Sequence, residues 1–209
     1  MINNKEQVPL EHYLDIYRDA DPEEIAQRTG VRWDPESKCF MLTFLHREYE
    51  VSWPALRIKV QDQEKLYAPP EASAQAKIFI LRYLLEGSQI PSGGAFLTYR
   101  EVPWGEVYYR QFNGRCMKRL AFGYGTSPEK LERFRTGMEA FGARAVGGAD
   151  AAYEYEILPG YRVRFMIWQG DEEFPPSSQI LFSDNFAAAF HAEDLVVVSE
   201  IMINALKQQ

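Results

Sequence analysis

Three consecutive acidic residues near the C-terminal end are the first candidates for chemistry. Asp171, Glu172 and Glu173 follow a glycine and precede Phe174 and two prolines in the stretch WQGDEEFPPSSQILFSD. On an extended strand these side chains alternate, but on a turn Asp171 and Glu173 can point the same way. Such a pair could hold a hard cation such as Mg²⁺, bind arginines or cap the turn. Because the prolines stiffen the loop, we interpret it first as a structural latch and second as one wall of a binding cleft.

A glycine turn supplies the second group of candidates, in the stretch SGGAFLTYREVPWGEVYY. Gly93 and Gly94 let the backbone approach a ligand closely, and a strand would place Arg100 and Glu101 on opposite faces. Aromatic side chains beside a few charges are typical of small-molecule pockets and also of a domain edge. The predicted ligand-binding residues are Gly93, Gly94, Tyr99, Arg100, Glu101, Trp104, Tyr108, Arg115, Asp171, Glu172, Glu173 and Phe174.

The charge of the chain is unevenly distributed. The net charge is −7 and the isoelectric point is near 5.1, which argues against a mainly electrostatic nucleic-acid binder. From Arg110 to Arg135, however, seven Lys and Arg residues face two Glu, a balance of +5, whereas seven acids from Asp171 onward face only Lys207. We expect complementary surfaces that pack together or are simply solvated. The alternative is an anion-attracting patch.

The stretch GYGTSPEK contains the beginning of a phosphate-binding pattern. Gly123 and Gly125 are spaced as in a dinucleotide fingerprint, but the stretch follows a helix and Pro128 stands where the third glycine belongs. What remains is a glycine loop leading into a helix capped by Ser127, a position that could hold an anion. A plain helix–helix connection is the favoured interpretation.

Other catalytic and metal-binding signatures are missing from the sequence. Cys39 and Cys116 are far apart, and His12, His46 and His191 are isolated, so no metal site is predicted and any cofactor is unknown. Cys116 falls on an apolar stripe, which favours a buried structural thiol. The N-terminus has no apolar signal segment, so we expect a soluble, cytoplasmic protein that does not enter a membrane.

The order of hydrophobic patterns predicts an α+β fold, with antiparallel hairpins packed against buried helices. Hairpins are expected over 39–53, turning near residues 46–48, and over 152–168, and apolar helices near 74–86 and 193–207. A further helix is expected to carry Tyr108, Phe112, Cys116 and Leu120 on one stripe. We expect one domain over 1–209. A diverged internal ββα duplication is possible, with related halves at about 31–90 and 150–207 joined by a helical middle segment.

Three longer stretches carry a resemblance to a known family. ILRYLLEGSQIPSGGAFLTYRE, YYRQFNGRCMKRLAFGYG and WQGDEEFPPSSQILFSDN resemble the bacterial domain-of-unknown-function family numbered 3786, which is common in anaerobes. The resemblance implies no activity or catalytic residues. It implies an association with corrinoid and one-carbon metabolism, although this chain lacks the cobalamin motif D-x-H-x-x-G. Some relatives carry a cysteine-rich, iron–sulfur-like segment, and nothing in this chain matches it.

The sequence leaves three functions open. The leading hypothesis is an accessory or binding protein that takes up a small anionic or polar ligand, or a partner protein, between the glycine turn and the acidic loop. The second is a carboxylate- or Mg-dependent enzyme that uses Asp171 or Glu173 as general base or metal ligand, with Arg100 as electrophile. The third is a pure protein-interaction module, which would show an exposed aromatic patch.

Overall fold

The computed structural model describes residues 4–61 and 73–207 and has the predicted α+β fold, with helices and two antiparallel sheets. Its contacts divide the chain into two compact units. The first comprises Met1–Pro91 together with Ala188–Phe190, and the second comprises Ser92–Ala187 together with His191–Gln209. That the whole chain forms one domain stays a prediction.

The first unit contains a four-stranded sheet in the order β1-β2-β3-β4. Its described elements are, in chain order, α1 (Asn4–Asp19), α2 (Pro22–Thr29), β1 (Arg32–Asp34), β2 (Cys39–Phe44), β3 (Arg47–Ser52), β4 (Ile58–Val60) and α3 (Ala74–Glu86). The hairpin predicted over 39–53 is confirmed. It turns at Leu45 and His46, whose φ angles of 52° and 56° suit the two-residue turns that follow the twist of a hairpin.

The apolar helix α3 supplies core residues of the first unit, as its sequence predicts. It begins after Ser73, whose hydroxyl oxygen accepts a hydrogen bond from the backbone N–H of Ala76. Phe79 on this helix is fully buried and stacks on Phe190, with ring centroids 4.7 Å apart and planes 7° apart. Since Phe190 comes from late in the chain, the core of the first unit draws on both ends of the sequence.

The second unit contains a five-stranded antiparallel sheet in the order β5-β9-β8-β7-β6. Its regular elements are, in chain order, β5 (Phe96–Thr98), α4 (Gly105–Phe112), α5 (Lys118–Tyr124), α6 (Pro128–Ala140), β6 (Arg144–Ala145), β7 (Ala151–Leu158), β8 (Tyr161–Trp168), β9 (Ser177–Ser183) and α7 (Ala192–Leu206). Burial alternates along β8. Phe165 and Ile167 are fully buried on one face, whereas Arg162 and Arg164 lie on the other. The hairpin predicted over 152–168 is confirmed.

The C-terminal helix α7 is apolar on nearly every side and lies where the sequence predicts it. Twelve of its 15 residues are buried. The Asp194 carboxylate accepts a hydrogen bond of 2.9 Å from the backbone N–H of His191, which closes the start of the helix. Across residues 4–61 and 73–207, no helix combines the length and the apolar character that a membrane span requires.

Two local predictions are wrong. The strand expected at Arg100 and Glu101 ends at Thr98, and Tyr99–Glu101 forms a 3-10 turn. The Glu101 carboxylate accepts hydrogen bonds from the N–H and the hydroxyl of Thr98, at 2.7 and 2.8 Å, and so closes that turn. The predicted helical stripe fails at Tyr108, which is 44% exposed. Gly105 and Phe112 mark the buried face of α4, and Tyr108 lies at the edge of that face.

A part of each unit shows the same order of described elements. Strands β1 to β4 form a meander followed by α3, and strands β6 to β9 form a meander followed by α7. This order is what a duplication of a strand-and-helix unit produces. The duplication stays a prediction, and superposing residues 39–86 on 152–206 is the comparison that tests it: different helix directions after superposition are the result that contradicts it.

Candidate functional site

The acidic loop, residues 169–176 between β8 and β9, is held in shape by the carboxylate of Asp171. Asp171 Oδ1 accepts hydrogen bonds from the backbone N–H of Phe174 at 2.7 Å and of Glu173 at 2.8 Å. These two bonds lower the pKa of Asp171 below its ordinary value. The Asp171 N–H in turn donates to the carbonyl of Phe174 at 2.9 Å. A carboxylate held ionised in this way is a weak proton acceptor and serves as a turn cap.

The acidic loop also docks on the connection between α5 and α6. The N–H of Gly170 donates to the carbonyl of Gly125 at 2.9 Å. A side chain at Gly125 would meet the Cβ of Pro176 at 2.9 Å, so the glycine is needed for this close approach. Glu172, Glu173 and Phe174 are exposed. These contacts support the interpretation of the loop as a structural latch.

The residues of the glycine turn have separate structural roles. Gly93 donates its N–H to both carboxylate oxygens of Asp184 at 3.1 Å, whereas Gly94 adopts a φ of 95° that suits glycine. Tyr99 is buried and donates its hydroxyl hydrogen to the carbonyl of Ala192 at 3.1 Å. Arg100 is half-exposed, lies 3.8 Å from the ring centroid of Tyr109, and forms a 3.5 Å ion pair with Glu106.

The register of the sheet bears on whether the glycine turn and the acidic loop meet. Thr98 at the end of β5 pairs with Leu181, and the chain continues toward the end of β9 that begins at Ser177. The acidic loop connects β8 to that same end of β9. Four residues of strand, about 13 Å, separate Leu181 from Ser177. Within the described ranges no hydrogen bond or ion pair joins the two segments, so the predicted cleft between them stays a prediction.

Trp104 occupies an unfavourable backbone conformation at an exposed position. Its φ is 65° and its side chain is 72% exposed, beside Val107 at 69%. Left-handed backbone costs a bulky residue about 1 kcal/mol or more. We expect Trp104→Gly to raise the free energy of unfolding by about 1 kcal/mol, measured by urea denaturation. Tyr108→Ser, at an exposed position of the helix that follows Trp104 and with ordinary backbone, is the control and should change stability by less than ~0.5 kcal/mol. A destabilised Trp104→Gly protein would show that the indole makes a necessary packing contact.

Two arginines of the basic segment 110–135, Arg115 and Arg119, bind side chains of α7. Two Arg115 nitrogens bind the Glu200 carboxylate at 2.6 and 3.1 Å, and a third binds Glu193 at 3.1 Å. Arg119 reaches Glu200 at 3.5 Å and donates to the side-chain oxygen of Asn204 at 2.7 Å. For these two arginines the expected packing of basic and acidic surfaces is confirmed. Arg115 is therefore already occupied by carboxylates of α7.

Cys116 is the buried structural thiol that the sequence favours. It is fully buried and donates weakly to the carbonyl of Val196 at 3.6 Å. Burial raises its pKa to about 12, and the nearby Glu200 charge adds to the increase. At neutral pH the group is a thiol and not a nucleophilic thiolate.

One ion cluster was missed by sequence reasoning. Glu154 is only 5% exposed, and its carboxylate pairs with Arg164 at 2.8 Å, Arg144 at 3.0 Å and Arg162 at 3.1 Å. Arg164 also lies 3.7 Å from the ring centroid of Phe96. The signal was present in the alternating charges of AYEYEIL and YRVRFMIW, because a tight hairpin sets such strands side by side.

A basic pocket lies where α5 meets α6 and the end of α7. It has a volume of about 110 Å³ and is lined by Gly123, Tyr124, Lys130, Arg133 and Lys207. Tyr124 is 6% exposed, and its hydroxyl is buried without a hydrogen-bond partner. Burial raises the pKa of Tyr124, while the charges of Arg133 and Arg119 oppose that increase. The hydroxyl is therefore neutral at pH 7.

The lysine at the start of α6 is held toward the connecting loop. Ser127 caps the helix by accepting from the N–H of Lys130 at 3.4 Å, and the Lys130 ammonium donates to the hydroxyl of Thr126 at 2.9 Å. Among the described residues, no carboxylate forms an ion pair with Lys130, Arg133 or Lys207. Three cations thus line one small cavity, an arrangement that attracts anions.

The described residues show no metal centre. No group of three His, Cys, Asp or Glu side chains comes together within residues 4–61 and 73–207. Both cysteines are buried and unpaired with one another. The structure brings charged side chains together in two places. Cations line the basic pocket, and Glu154 lies among three arginines.

Comparison with known proteins places the chain in one family. No curated protein and no solved structure matches it. The family described as "Domain of unknown function (DUF3786)" matches residues 21–205, which include both sheets and the pocket residues Gly123, Tyr124, Lys130 and Arg133. The predicted resemblance is confirmed. Because the match spans most of its length, this chain belongs to the DUF3786 family.

Proposed function

We propose that this protein is a binding or accessory protein that takes up a small anion in the basic pocket. The observation that carries the proposal is the buried, unpartnered hydroxyl of Tyr124 beside three cationic side chains. A buried hydroxyl without a partner costs about 1–3 kcal/mol. Because the hydroxyl is buried, an anion in the pocket would accept its hydrogen and remove that cost once the lining shifts to expose it.

The size of the pocket suits a compact oxyanion. A volume of about 110 Å³ holds roughly three or four groups the size of water, each taking about 30 Å³. Phosphate and sulfate fill such a space and accept hydrogen bonds in several directions. Arginine suits them best, since its planar guanidinium can donate two parallel hydrogen bonds to one oxyanion.

Electrostatics supports an anion at this position. The chain carries a net charge of −7, so its long-range field repels anions and a local group of cations is needed to attract one. Lys130 and Arg133 lie in the segment with a local balance of +5, and Lys207 is the one basic residue after Asp171. The pocket gathers cations from both parts of the sequence. Since Lys130, Arg133 and Lys207 are exposed, we expect binding to weaken as ionic strength rises.

Titration with inorganic phosphate tests the proposal. We expect the wild-type protein to bind phosphate in isothermal titration calorimetry at low ionic strength, and Arg133→Gln to weaken binding by about tenfold or more, the loss of one charge-assisted interaction. Tyr124→Phe should weaken binding about fivefold and, without phosphate, raise the melting temperature, because it removes a buried hydroxyl that lacks a partner.

Lys118→Gln provides the matched control, because Lys118 is an exposed cation of α5 that does not line the pocket. It should leave the affinity for phosphate within about twofold of wild type. The proposal is wrong if wild-type protein does not bind 10 mM phosphate, or if Arg133→Gln and Lys118→Gln lower the affinity equally. Equal losses would mean that only the overall charge matters.

A further inference from the structure

A groove adjoins the basic pocket and shares Arg133 with it. The groove has a volume of about 650 Å³ and runs along α6 beside the last turn of α7. Its lining consists of Pro128, Glu129, Glu132, Arg133, Arg135, Thr136, Gly137 and Leu206. This volume falls in the range of clefts that hold whole small molecules, about 300–1,000 Å³. The basic pocket alone has room only for an anionic group.

The charged residues of the groove are largely satisfied by neighbours. Glu132 pairs with Arg135 at 3.2 Å, and Arg135 also donates to the carbonyl of Asp150 at 2.6 Å. The hydroxyl of Ser127 donates to Glu129 and lowers the pKa of that carboxyl group. Within the described residues Arg133 has no such ion pair, so its guanidinium is the group that can bind an anion at the junction of pocket and groove.

The remaining lining of the groove is small or apolar. Pro128 and Leu206 contribute apolar surface, while Gly137 adds no side chain in the middle of α6. Glycine inside a helix costs about 1 kcal/mol relative to alanine, so Gly137 has a local cost in α6. A ligand body in this space would bury apolar surface against α6.

We infer that the ligand is a phosphate ester, or a chemically similar organic anion, whose anionic group occupies the basic pocket and whose apolar body lies in the groove along α6. The inference rests on the proposed function, because it uses the same anion site. It adds the chemical class of the ligand, which has one compact anionic group attached to an apolar part. The junction of the two parts would lie beside Arg133, which lines both the pocket and the groove.

A series of alkyl phosphates tests the inference. Inorganic phosphate, ethyl phosphate and hexyl phosphate are titrated into the wild-type protein by calorimetry, with hexyl phosphate kept below its micelle-forming concentration. We expect hexyl phosphate to bind at least tenfold more tightly than inorganic phosphate, the gain from burying about two methylene groups. Ethyl phosphate should fall between them. Equal affinity for all three overturns the inference, although phosphate binding itself would still support the proposed function.

Two variants with matched size separate the groove from the pocket. Thr136→Trp fills the groove from an exposed position, whereas Ala140→Trp adds the same side chain one turn later, outside the lining. We expect Thr136→Trp to remove most of the tenfold preference for hexyl phosphate while the affinity for inorganic phosphate changes less than twofold. Ala140→Trp should behave as wild type. An unchanged preference in Thr136→Trp contradicts a ligand body in the groove.

Vesicles that contain phosphatidic acid distinguish a free ester from a lipid headgroup. We expect the protein to bind soluble hexyl phosphate and to show no more than twofold greater sedimentation with phosphatidic acid vesicles than with phosphatidylcholine vesicles. Strong binding to the acidic vesicles without binding to hexyl phosphate would mean that the ligand is a lipid headgroup. That result would overturn the assignment of a soluble ester.

Discussion

Replacing Glu154 by glutamine should lower the free energy of unfolding by about 2–3 kcal/mol. The carboxylate is 5% exposed and is shared by Arg144, Arg162 and Arg164 at 2.8–3.1 Å. Removing one partner of a buried ion pair typically costs about 3–5 kcal/mol. The three arginine side chains are 69%, 33% and 32% exposed, so water partly solvates them after the loss and the cost is smaller. Urea denaturation at pH 7 measures the difference.

The same carboxylate should make stability depend on acid pH. Burial alone would raise the pKa of Glu154, but hydrogen bonds from Arg164 and Arg144 and the charge of Arg162 outweigh it, so the pKa lies below its ordinary value of 4.5. A carboxyl with a lowered pKa contributes stability above its unfolded pKa and loses that contribution as pH falls through the folded pKa. The difference between wild type and Glu154→Gln should therefore be largest above about pH 5 and shrink below pH 4.5.

Glu156 supplies the control for both measurements. It is an exposed carboxylate on the same strand, directly opposite Arg162 in the register. Glu156→Gln should change the free energy of unfolding by less than ~0.5 kcal/mol. If the two glutamine variants were equally stable at pH 7, the three arginines would not depend on Glu154, and the cluster would be an arrangement of solvated surface charges.

Phe112→Ala should destabilise the second unit more than Glu154→Gln does, by about 3–5 kcal/mol. Phe112 is 1% exposed and stacks on Tyr99 with ring centroids 4.0 Å apart and planes 4° apart. It also contacts Phe182 of β9, at 6.1 Å between centroids. The alanine would leave a cavity between α4, the 3-10 turn and the sheet. Near-UV circular dichroism during urea unfolding follows the loss of this aromatic packing.

Two further phenylalanine substitutions define what that result means. Phe112→Leu keeps most of the volume and should cost less than half as much as Phe112→Ala. Phe122→Ala removes the same side chain from a position that is 53% exposed, and should cost less than about 1 kcal/mol. Similar losses for Phe112→Ala and Phe122→Ala would contradict the central position of Phe112 in the core.

Elements with strong local signals could be predicted from the sequence. At the N-cap of α2, Asp21 accepts a hydrogen bond from the N–H of Glu23, and at its C-cap Gly30 has a φ of 71°. Asp, Pro and Gly stand in DPEEIAQRTG at the positions where helices prefer them. The hairpins follow from alternating apolar residues. The error at Glu101 arose because its carboxylate closes a turn with Thr98, a side-chain interaction that alternation along a strand does not reveal.

The candidate sites were harder to predict because their residues are far apart in sequence. GYGTSPEK indicated an anion position at Ser127, but Lys207 joins it only through the packing of α7, and nothing local shows that the Tyr124 hydroxyl is left without a partner. Conversely, Asp171 looked like a catalytic carboxylate, yet its oxygen is used by two neighbouring backbone N–H groups. Whether a polar group is already satisfied depends on tertiary structure.

The stacking of Phe190 on Phe79 has a consequence for folding during synthesis. Phe79 leaves the ribosome roughly 110 residues before Phe190, which at about 5–20 residues per second is a delay on the order of ten seconds. During that interval the first unit lacks a ring that covers the apolar helix α3. The nascent chain therefore exposes an aromatic surface until the final segment is translated, and a chaperone that recognises exposed apolar residues would have its opportunity to bind in that period.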